Sequence, residues 1–377
     1  MQIKMRNFGP IKAFDFDLEK NWVVIFGKNN CGKSYGIYLV YLLIKAVLTS
    51  QNSWVVGTRD DKRLQQKFLA EFQQAFSHTF LKVDNTQSRF SNQPMRLSFA
   101  TSDAELAIET IDNRWVLENA SLLSTIAGEL DGVKQVYYLP AARFGIYQAL
   151  SSLTTPTELS NNSRTPTQKV TMNTLSEPVS DYYKGLSNIT NHLVPGNQAI
   201  LDIVAEIEQN LLKGEVIFDT FCQKIFYKPF DTDLVLELSL TSSMVSELAP
   251  IVCYLKYIIA FAPEKSLLFI EEPEAHLHPE AQVVVLEILA KLVKTGVKLV
   301  MACHGSSMFN HLNNLILDGT IDILTIQPLV FRNTHEGSQA TPMSINRLGI
   351  DDDNFLETAE AIFNRKMEII DTLNEAA

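Results

Sequence analysis

Two periodicities alternate along the chain. Near the N-terminus, Ile3 and Met5 alternate with polar neighbours, Gly9-Pro10 breaks the run, Phe14, Phe16 and Leu18 alternate again, and Val23 to Phe26 is continuously apolar. Period two predicts half-buried strands, and the unbroken run predicts a strand buried on both faces. Helical spacing follows: an apolar helix from Tyr35 to Leu48, then one from about Asp61 to Phe76 carrying Leu64, Phe68, Leu69 and Phe72. Alternation returns at Met95, Leu97 and Phe99, at Leu106 and Ile108, and at Trp115 and Leu117, which predicts antiparallel strands. Phe72, Phe76 and Trp115 are expected to fill a core rather than stack on bases. Val136 to Leu139 predicts one more short strand.

The second half begins with a change of character. Residues 151–198 are crowded with Thr, Ser, Asn and Pro (SSLTTPTELSNNSRTPTQ), which predicts a loop or a segment that orders on binding, followed by moderate helices through Leu212. A strand pair is expected at Val216 to Phe218 and Leu234 to Leu240, then a strongly apolar helix through Ile259. Buried strands are expected at Leu267 to Ile270 and Val297 to Ala302, a strand-like stretch at Ile321 to Ile326, and a helix from about Phe355 to Leu373. Strands and helices thus interleave in an α/β pattern, and no heptad persists long enough for a coiled-coil arm. The expected segments are 1–150, a polar and helical insertion at 151–215, 216–345, and a helical tail at 346–377.

Composition narrows the class. The 377 residues are 46% hydrophobic, enough for a sizeable core. No segment reaches the ~18 uncharged apolar residues of a membrane span, because Lys45 and Lys256 interrupt the longest runs. The N-terminus MQIKMRNFGPI does not read as a secretory leader, so a cytoplasmic location is expected. Cys31, Cys222, Cys253 and Cys303 lack CxxC spacing, which argues against a zinc site or a disulfide framework. The formal charge of −11 removes the broad basic surface that drives non-specific DNA binding, leaving only a local patch or a partner for nucleic acid.

The chemistry concentrates in two stretches. Gly27-Lys28-Asn29-Asn30-Cys31-Gly32-Lys33-Ser34 matches G-x-x-x-x-G-K-[ST] between a predicted strand and a predicted helix. Its glycines let backbone N–H groups wrap phosphates, the helix N-terminus adds partial positive charge, Lys33 would neutralise the β and γ phosphates of ATP, and Ser34 would ligate Mg²⁺. In LLFIEEPEAHLHPEAQ (Leu267 to Gln282) an apolar strand delivers two carboxylates to a sheet edge. Glu271 would hold the Mg²⁺ water shell and Glu272 would polarise the attacking water; alone, the pair would read equally as solvated acids ending a strand.

Four further features have competing readings. Arg143, just after the strand ending in YLPAAR, can reach a γ-phosphate or a partner subunit, or can cover apolar surface. Thr241, Ser242 and Ser243 can cap a helix or present its N–H groups to an anion. His304, after the strand ending in ACH, can sense the γ-phosphate or orient water, or can be structural. His276 and His278 form an H-x-H pair, but in an extended segment they would face opposite ways, which disfavours zinc. Asp351-Asp352-Asp353 reads as charge complement to the following helix.

Together, NFGPI, GKNNCGKS, YLPAAR, LTSSMVSELAP, LLFIEEPEAHLHPEAQ and ACHGSSM resemble, in order, the motifs of ABC-type ATPases of the SMC, RecF and OLD (overcoming lysogenisation defect) group. The resemblance is closest to the compact OLD-like AAA family ATPases of anti-phage systems such as Gabija, Septu and PARIS. It covers roughly residues 1–50, 135–148 and 238–310. It implies an ABC-type P-loop core, a mixed sheet with flanking helices, plus an antiparallel β region and a small helical insertion. Gly27 to Ser34 would be Walker A, Glu271-Glu272 Walker B, Glu274 to His278 the D-loop, His304 the switch histidine, and Thr241 to Ser243 the signature. ATP would be buried between two subunits, head to tail, in a dimer or higher oligomer. Ser242, Ser243 and Met244 replace the Gly and Gln or Glu of LSGGQ-type signatures, and Glu271 replaces the usual Asp, which implies slow hydrolysis.

The function expected is an ATP-driven switch controlling a separate effector such as a nuclease or toxin. Only residues 305–377 follow His304, too few for an added nuclease domain. The alternatives are a RecF-like ATPase acting on DNA, the ATPase subunit of a transporter, and a nucleotide-locked scaffold without turnover.

Overall fold

A computed structural model describes residues 1–51, 61–101, 104–130, 133–154, 175–190, 195–263, 265–346, 349–351 and 355–375. Strands β1 (Gln2–Phe8) and β2 (Ile11–Asp17) pair as a hairpin around the Gly9-Pro10 turn, with Ile3, Met5, Phe14 and Phe16 buried in alternation. Strand β3 (Trp22–Gly27) is buried throughout. Helices α1 (Lys33–Gln51) and α2 (Asp61–Phe80) follow, then an antiparallel run β4 (Arg96–Ala100), β5 (Glu105–Ile111) and β6 (Arg114–Glu118) at the predicted positions. Phe72, Phe76 and Trp115 lie in the core, their rings edge to face.

Helix α3 (Leu123–Glu129) leads to β7 (Gln135–Leu139), α4 (Arg143–Thr154), α5 (Glu177–Ser187) and α6 (Gln198–Glu206). The Thr- and Ser-rich stretch 155–170 lies outside the described residues. Next come β8 (Gly214–Asp219), β9 (Lys224–Pro229) and β10 (Leu236–Glu237), a separate three-stranded sheet. Here the expected strand at Leu234 to Leu240 is corrected. Only Leu236 and Glu237 pair, Leu238–Leu240 is a 3₁₀ turn, and the true partner of β8 is β9, whose lysines and terminal proline obscured the alternation of Ile225 and Tyr227.

The remaining elements are α7 (Ser243–Tyr257), β11 (Ser266–Glu271), α8 (Pro279–Lys294), β12 (Lys298–Ala302), α9 (Ser306–Leu317), β13 (Ile326–Thr334), β14 (Gly337–Pro342), the short pair β15 (Ile345–Asn346) and β16 (Gly349–Ile350), and α10 (Leu356–Glu375). The expected strand at Ile321 to Ile326 is also corrected. Asp322 accepts from the Leu324 N–H and holds a turn, so the strand starts only at Ile326. Asp351 accepts from the Ser344 hydroxyl and the Asn346 amide, while Asp352 and Asp353 lie outside the described residues. Ser243–Phe261 is long and apolar enough to cross a membrane, which the sequence reading did not allow for, but 72% of that stretch is buried inside the fold.

One eleven-stranded sheet runs β6-β5-β4-β1-β2-β14-β13-β3-β12-β11-β7. The stretch from β13 to β7 is parallel and the stretch from β2 to β6 antiparallel. Because β3 lies between β13 and β12, segments 1–150 and 216–345 interleave in one sheet rather than forming separate bodies. The pleat sends Val23 and Ile25 to a core shared with α1 and α2, and Trp22, Val24 and Phe26 to a core shared with α7, α8 and α9. Each fully buried side chain of this kind stabilises the fold by about 1.5–3 kcal/mol. No coiled-coil arm is present among the described residues.

Candidate active site

The parallel strands β3, β12 and β11 end at one edge of the sheet, Glu271 opposite Ala302 and Ala302 opposite Ile25, with β3 running on to Gly27. Loops leaving such an edge converge on a common crevice. Gly27 sits at φ +143°, and a β-carbon there would lie 2.7 Å from the Phe331 carbonyl oxygen of β13, so no larger residue fits the loop's first position. The loop Gly27 to Gly32 then delivers Lys33 and Ser34 as the first residues of α1.

Lys33 is only 6% exposed. Its Nζ donates to the carbonyls of Gly27 (2.7 Å) and Lys28 (2.8 Å), lies 3.6 Å from the Cys31 thiol, and is 3.4 Å from His304 Nδ1. Burial holds the ammonium below its usual pKa. A buried ammonium whose closest acceptors are neutral loop carbonyls is stabilised by a polyanion placed beside it.

Glu271, at the end of β11, is 4% exposed, and its Oε1 has no hydrogen-bond partner. Burial pushes its carboxyl up, opposed by the hydroxyls of Ser34 and Tyr138 beside it. A buried carboxylate with an unspent lone pair beside a serine hydroxyl fits Mg²⁺, which binds through one or two protein oxygens plus phosphates. Among the described residues no cluster of three or more His, Cys, Asp or Glu offers a fuller metal site. His276 and His278 do not lie in an extended segment: His276 takes φ +60° in a turn, and His278 caps α8 by accepting from the Glu280 N–H.

Glu272 takes φ +44°, a left-handed backbone that costs a non-glycine residue about 1 kcal/mol or more. The strain turns its carboxylate into the cleft, where Oε1 lies 3.3 Å from His304 Nε2. The histidine's hydrogen bond, ahead of the opposing effect of burial, holds Glu272 below the usual carboxylate range. His304 thus stands between Lys33 and Glu272. Its loop is fixed by Glu274, whose buried Oε1 accepts from the N–H groups of His304 (2.6 Å) and Gly305 (3.2 Å).

The cleft holds about 850 Å³ and is lined by Asn29 to Tyr35, Glu272 and His304, by Gly9 and Pro10 packed against Tyr35 and Gly32, and by Asn85, Gln87, Arg89 and Phe90. Lys28 contributes its carbonyl to Lys33 rather than lining it. Arg143 is a correction. It is fully buried, and its guanidinium donates to the carbonyls of Glu247, Pro140, Ala141, Glu271 and Glu272, so it neither covers the surface nor lines the cleft. Thr241, Ser242 and Ser243 lie outside the cleft at the N-terminus of α7, where Ser242 Oγ accepts from the Val245 N–H and the side chains of Ser242 and Ser243 face solvent.

Sequence reading missed Tyr138, the clamp by Glu274, and the Asn85 to Phe90 wall. Tyr138 stood in the quoted YLPAAR stretch as part of a strand, and Glu274 was read as the first residue of the D-loop, not as the acceptor that fixes the His304 loop. Nothing in the spelling of residues 85–90 places them opposite a loop fifty residues earlier.

Residues 142–309, less than half of the chain, match the family model of the AAA ATPase domain. No curated protein matches the chain. Among solved structures the chain is similar to the SMC head domain from Thermotoga maritima, at 12% identity and a TM-score of 0.46 over 91% of this chain and 98% of that one. An SmcHead bound to the C-winged helix domain of ScpA gives 11% identity and 0.46 over 92% and 98%. An Smc head domain with an extended coiled coil, bound to a C-terminal domain of ScpA derived from Pyrococcus furiosus, gives 11% identity and 0.42 over 97% and 98%.

Proposed function

We propose that the chain is a Mg²⁺-dependent ATPase working as a cytoplasmic molecular switch. The observation that carries this reading is the convergence of Lys33, His304 and Glu272 on one cleft, with His304 nitrogens 3.4 Å and 3.3 Å from the lysine and the carboxylate. The AAA ATPase domain match spans both Glu272 and His304.

The chemistry follows from the placement. Lys33 and the N–H groups at the start of α1 hold the β and γ phosphates. Glu272, kept ionised, accepts a proton from a water that attacks the γ-phosphorus; the bond to the bridging oxygen breaks, leaving ADP and phosphate. Ser34 and Glu271 would hold Mg²⁺, which when bound would supply neutralisation of charge on the phosphates. His304 orients Glu272 and carries the state of the γ-phosphate to the loop clamped by Glu274.

Switching supplies the reason for an exposed helix cap outside the cleft. Thr241 to Ser243 do not line their own chain's cleft, so the N-terminus of α7 would reach a γ-phosphate in a second copy, closing a head-to-tail dimer. Driving such an equilibrium from 1:99 to 99:1 takes about 5.5 kcal/mol of differential binding, which ATP touching both copies would supply. The closed form would hold an effector protein such as a nuclease or toxin, a role in anti-phage defence that rests on the order and spelling of the motifs. The charge of −11 weighs against direct action on DNA.

Phosphate release tests the chemistry. Glu272→Gln should keep Mg-ATP binding and lose roughly 10²–10⁴-fold in release rate, while Lys33→Ala should lose binding. Release unchanged in Glu272→Gln would remove the assigned base.

A further inference from the structure

We propose that the wall facing the phosphate loop reads the nucleotide's base: Phe90 stacks on it, and the Gln87 amide pairs with the N6/N7 edge of adenine. The proposal rests on the nucleotide reading above and adds the base it selects.

A triphosphate fills only the loop side of the cleft, Asn29 to Ser34 with Glu272 and His304. The remaining volume must hold base and ribose, and about 850 Å³ is within the range of whole-ligand sites. The far wall carries the chemistry a base needs. Phe90 lines the cleft with its ring 52% exposed, and aromatic faces bind bases of any kind by stacking. Asn85 and Gln87 line the same strip.

This wall is tied to the phosphate loop rather than free to drift. The Gly9 N–H donates to the Thr86 carbonyl at 2.6 Å, Phe8 bridges to Gln87, and the Phe8 ring packs 5.9 Å from Tyr35 at the start of α1. The Phe90 N–H is held by the Ser88 hydroxyl at 3.2 Å. Gln87 is oriented as well. Its Nε2 donates at 2.9 Å to Asn113 Oδ1, and Asn113 sits in the tight β5–β6 turn, where Asp112 and Asn113 are both left-handed.

With one amide proton engaged, Gln87 offers one acceptor and one donor side by side. That pattern matches adenine, whose N6 donates and N7 accepts. Guanine presents two acceptors there, O6 and N7, and would face the Gln87 carbonyl oxygen without a proton between them.

The test is equilibrium binding of Mg-ATP, Mg-GTP and Mg-tripolyphosphate to the full chain. The wild type should bind ATP at least about tenfold more tightly than tripolyphosphate, and prefer ATP over GTP by about tenfold. Phe90→Ala should lose about tenfold for ATP with tripolyphosphate unchanged, Phe90→Tyr should retain ATP affinity, and Gln87→Leu should bring ATP and GTP together. ATP and tripolyphosphate bound equally by the wild type, or Phe90→Ala weakening both alike, would overturn the base-reading wall and leave the phosphate site standing. Binding of neither ligand by the wild type would overturn the nucleotide reading and this one with it.

Discussion

The Glu274 carboxylate accepts the backbone N–H of His304 at 2.6 Å. The strand end that presents Glu272 thereby also holds the loop that presents the histidine, and a shift in either is transmitted to the other. Glu274 is buried with one carboxylate oxygen, Oε2, unpartnered, and burial pushes its carboxyl up.

Glu274→Ala leaves two backbone N–H groups without their acceptor and should cost about 1–3 kcal/mol per group, with phosphate release reduced. Glu274→Gln keeps an acceptor oxygen and removes a buried ionisable group. A carboxyl whose folded pKa is raised lowers stability as pH climbs from the unfolded carboxylate range through the folded value. The melting temperature of Glu274→Gln relative to wild type should therefore rise from pH 4 to neutrality; a constant difference across that window would contradict the assignment.

In the proposed chemistry Glu272 works in its ionised form, and His304 holds its carboxyl below the usual range. The active form is present above that lowered pKa, so phosphate release should persist at pH values where an ordinary glutamate is half protonated. His304→Gln removes the main cause, so the acid limb of the residual rate should move to higher pH. An acid limb that stays in place would show that Glu272 is held ionised by something else.

Arg143 supports the site from behind by donating to the carbonyls of both Glu271 and Glu272. Arg143→Lys cannot reproduce the planar fork and leaves buried carbonyls unsatisfied. Denaturant unfolding should show a loss of about 2–5 kcal/mol; a loss below about 1 kcal/mol would contradict this supporting role.

Duplex DNA should not stimulate phosphate release at about 0.15 M salt, because a chain of charge −11 pays repulsion along the phosphate backbone. Stimulation by DNA alone would favour a RecF-like role.

The phosphate loop and the acidic strand end were legible because their chemistry forces spelling: only glycine takes Gly27's backbone, and a buried strand such as β11 reads as an apolar run. The periodic strands β4, β5 and β6 were legible for the same reason of pattern. Arg143 was not, since its role is set by carbonyls from two distant segments and an arginine looks alike in sequence whether buried or exposed. β9 and the start of β13 were missed where Lys, Pro and a short Asp-capped turn interrupt the alternation. The interleaving of β3 between β12 and β13 is a matter of crossovers, which a linear division into segments cannot express.

The measurement that tests the switch most directly is the solution mass, by light scattering, of the Glu272→Gln chain with and without Mg-ATP. The account predicts a step from one chain to two on adding Mg-ATP, abolished by replacing the α7 cap with Ser242→Arg. A mass unchanged by ATP under conditions where ATP is shown to be bound would contradict nucleotide-driven closure.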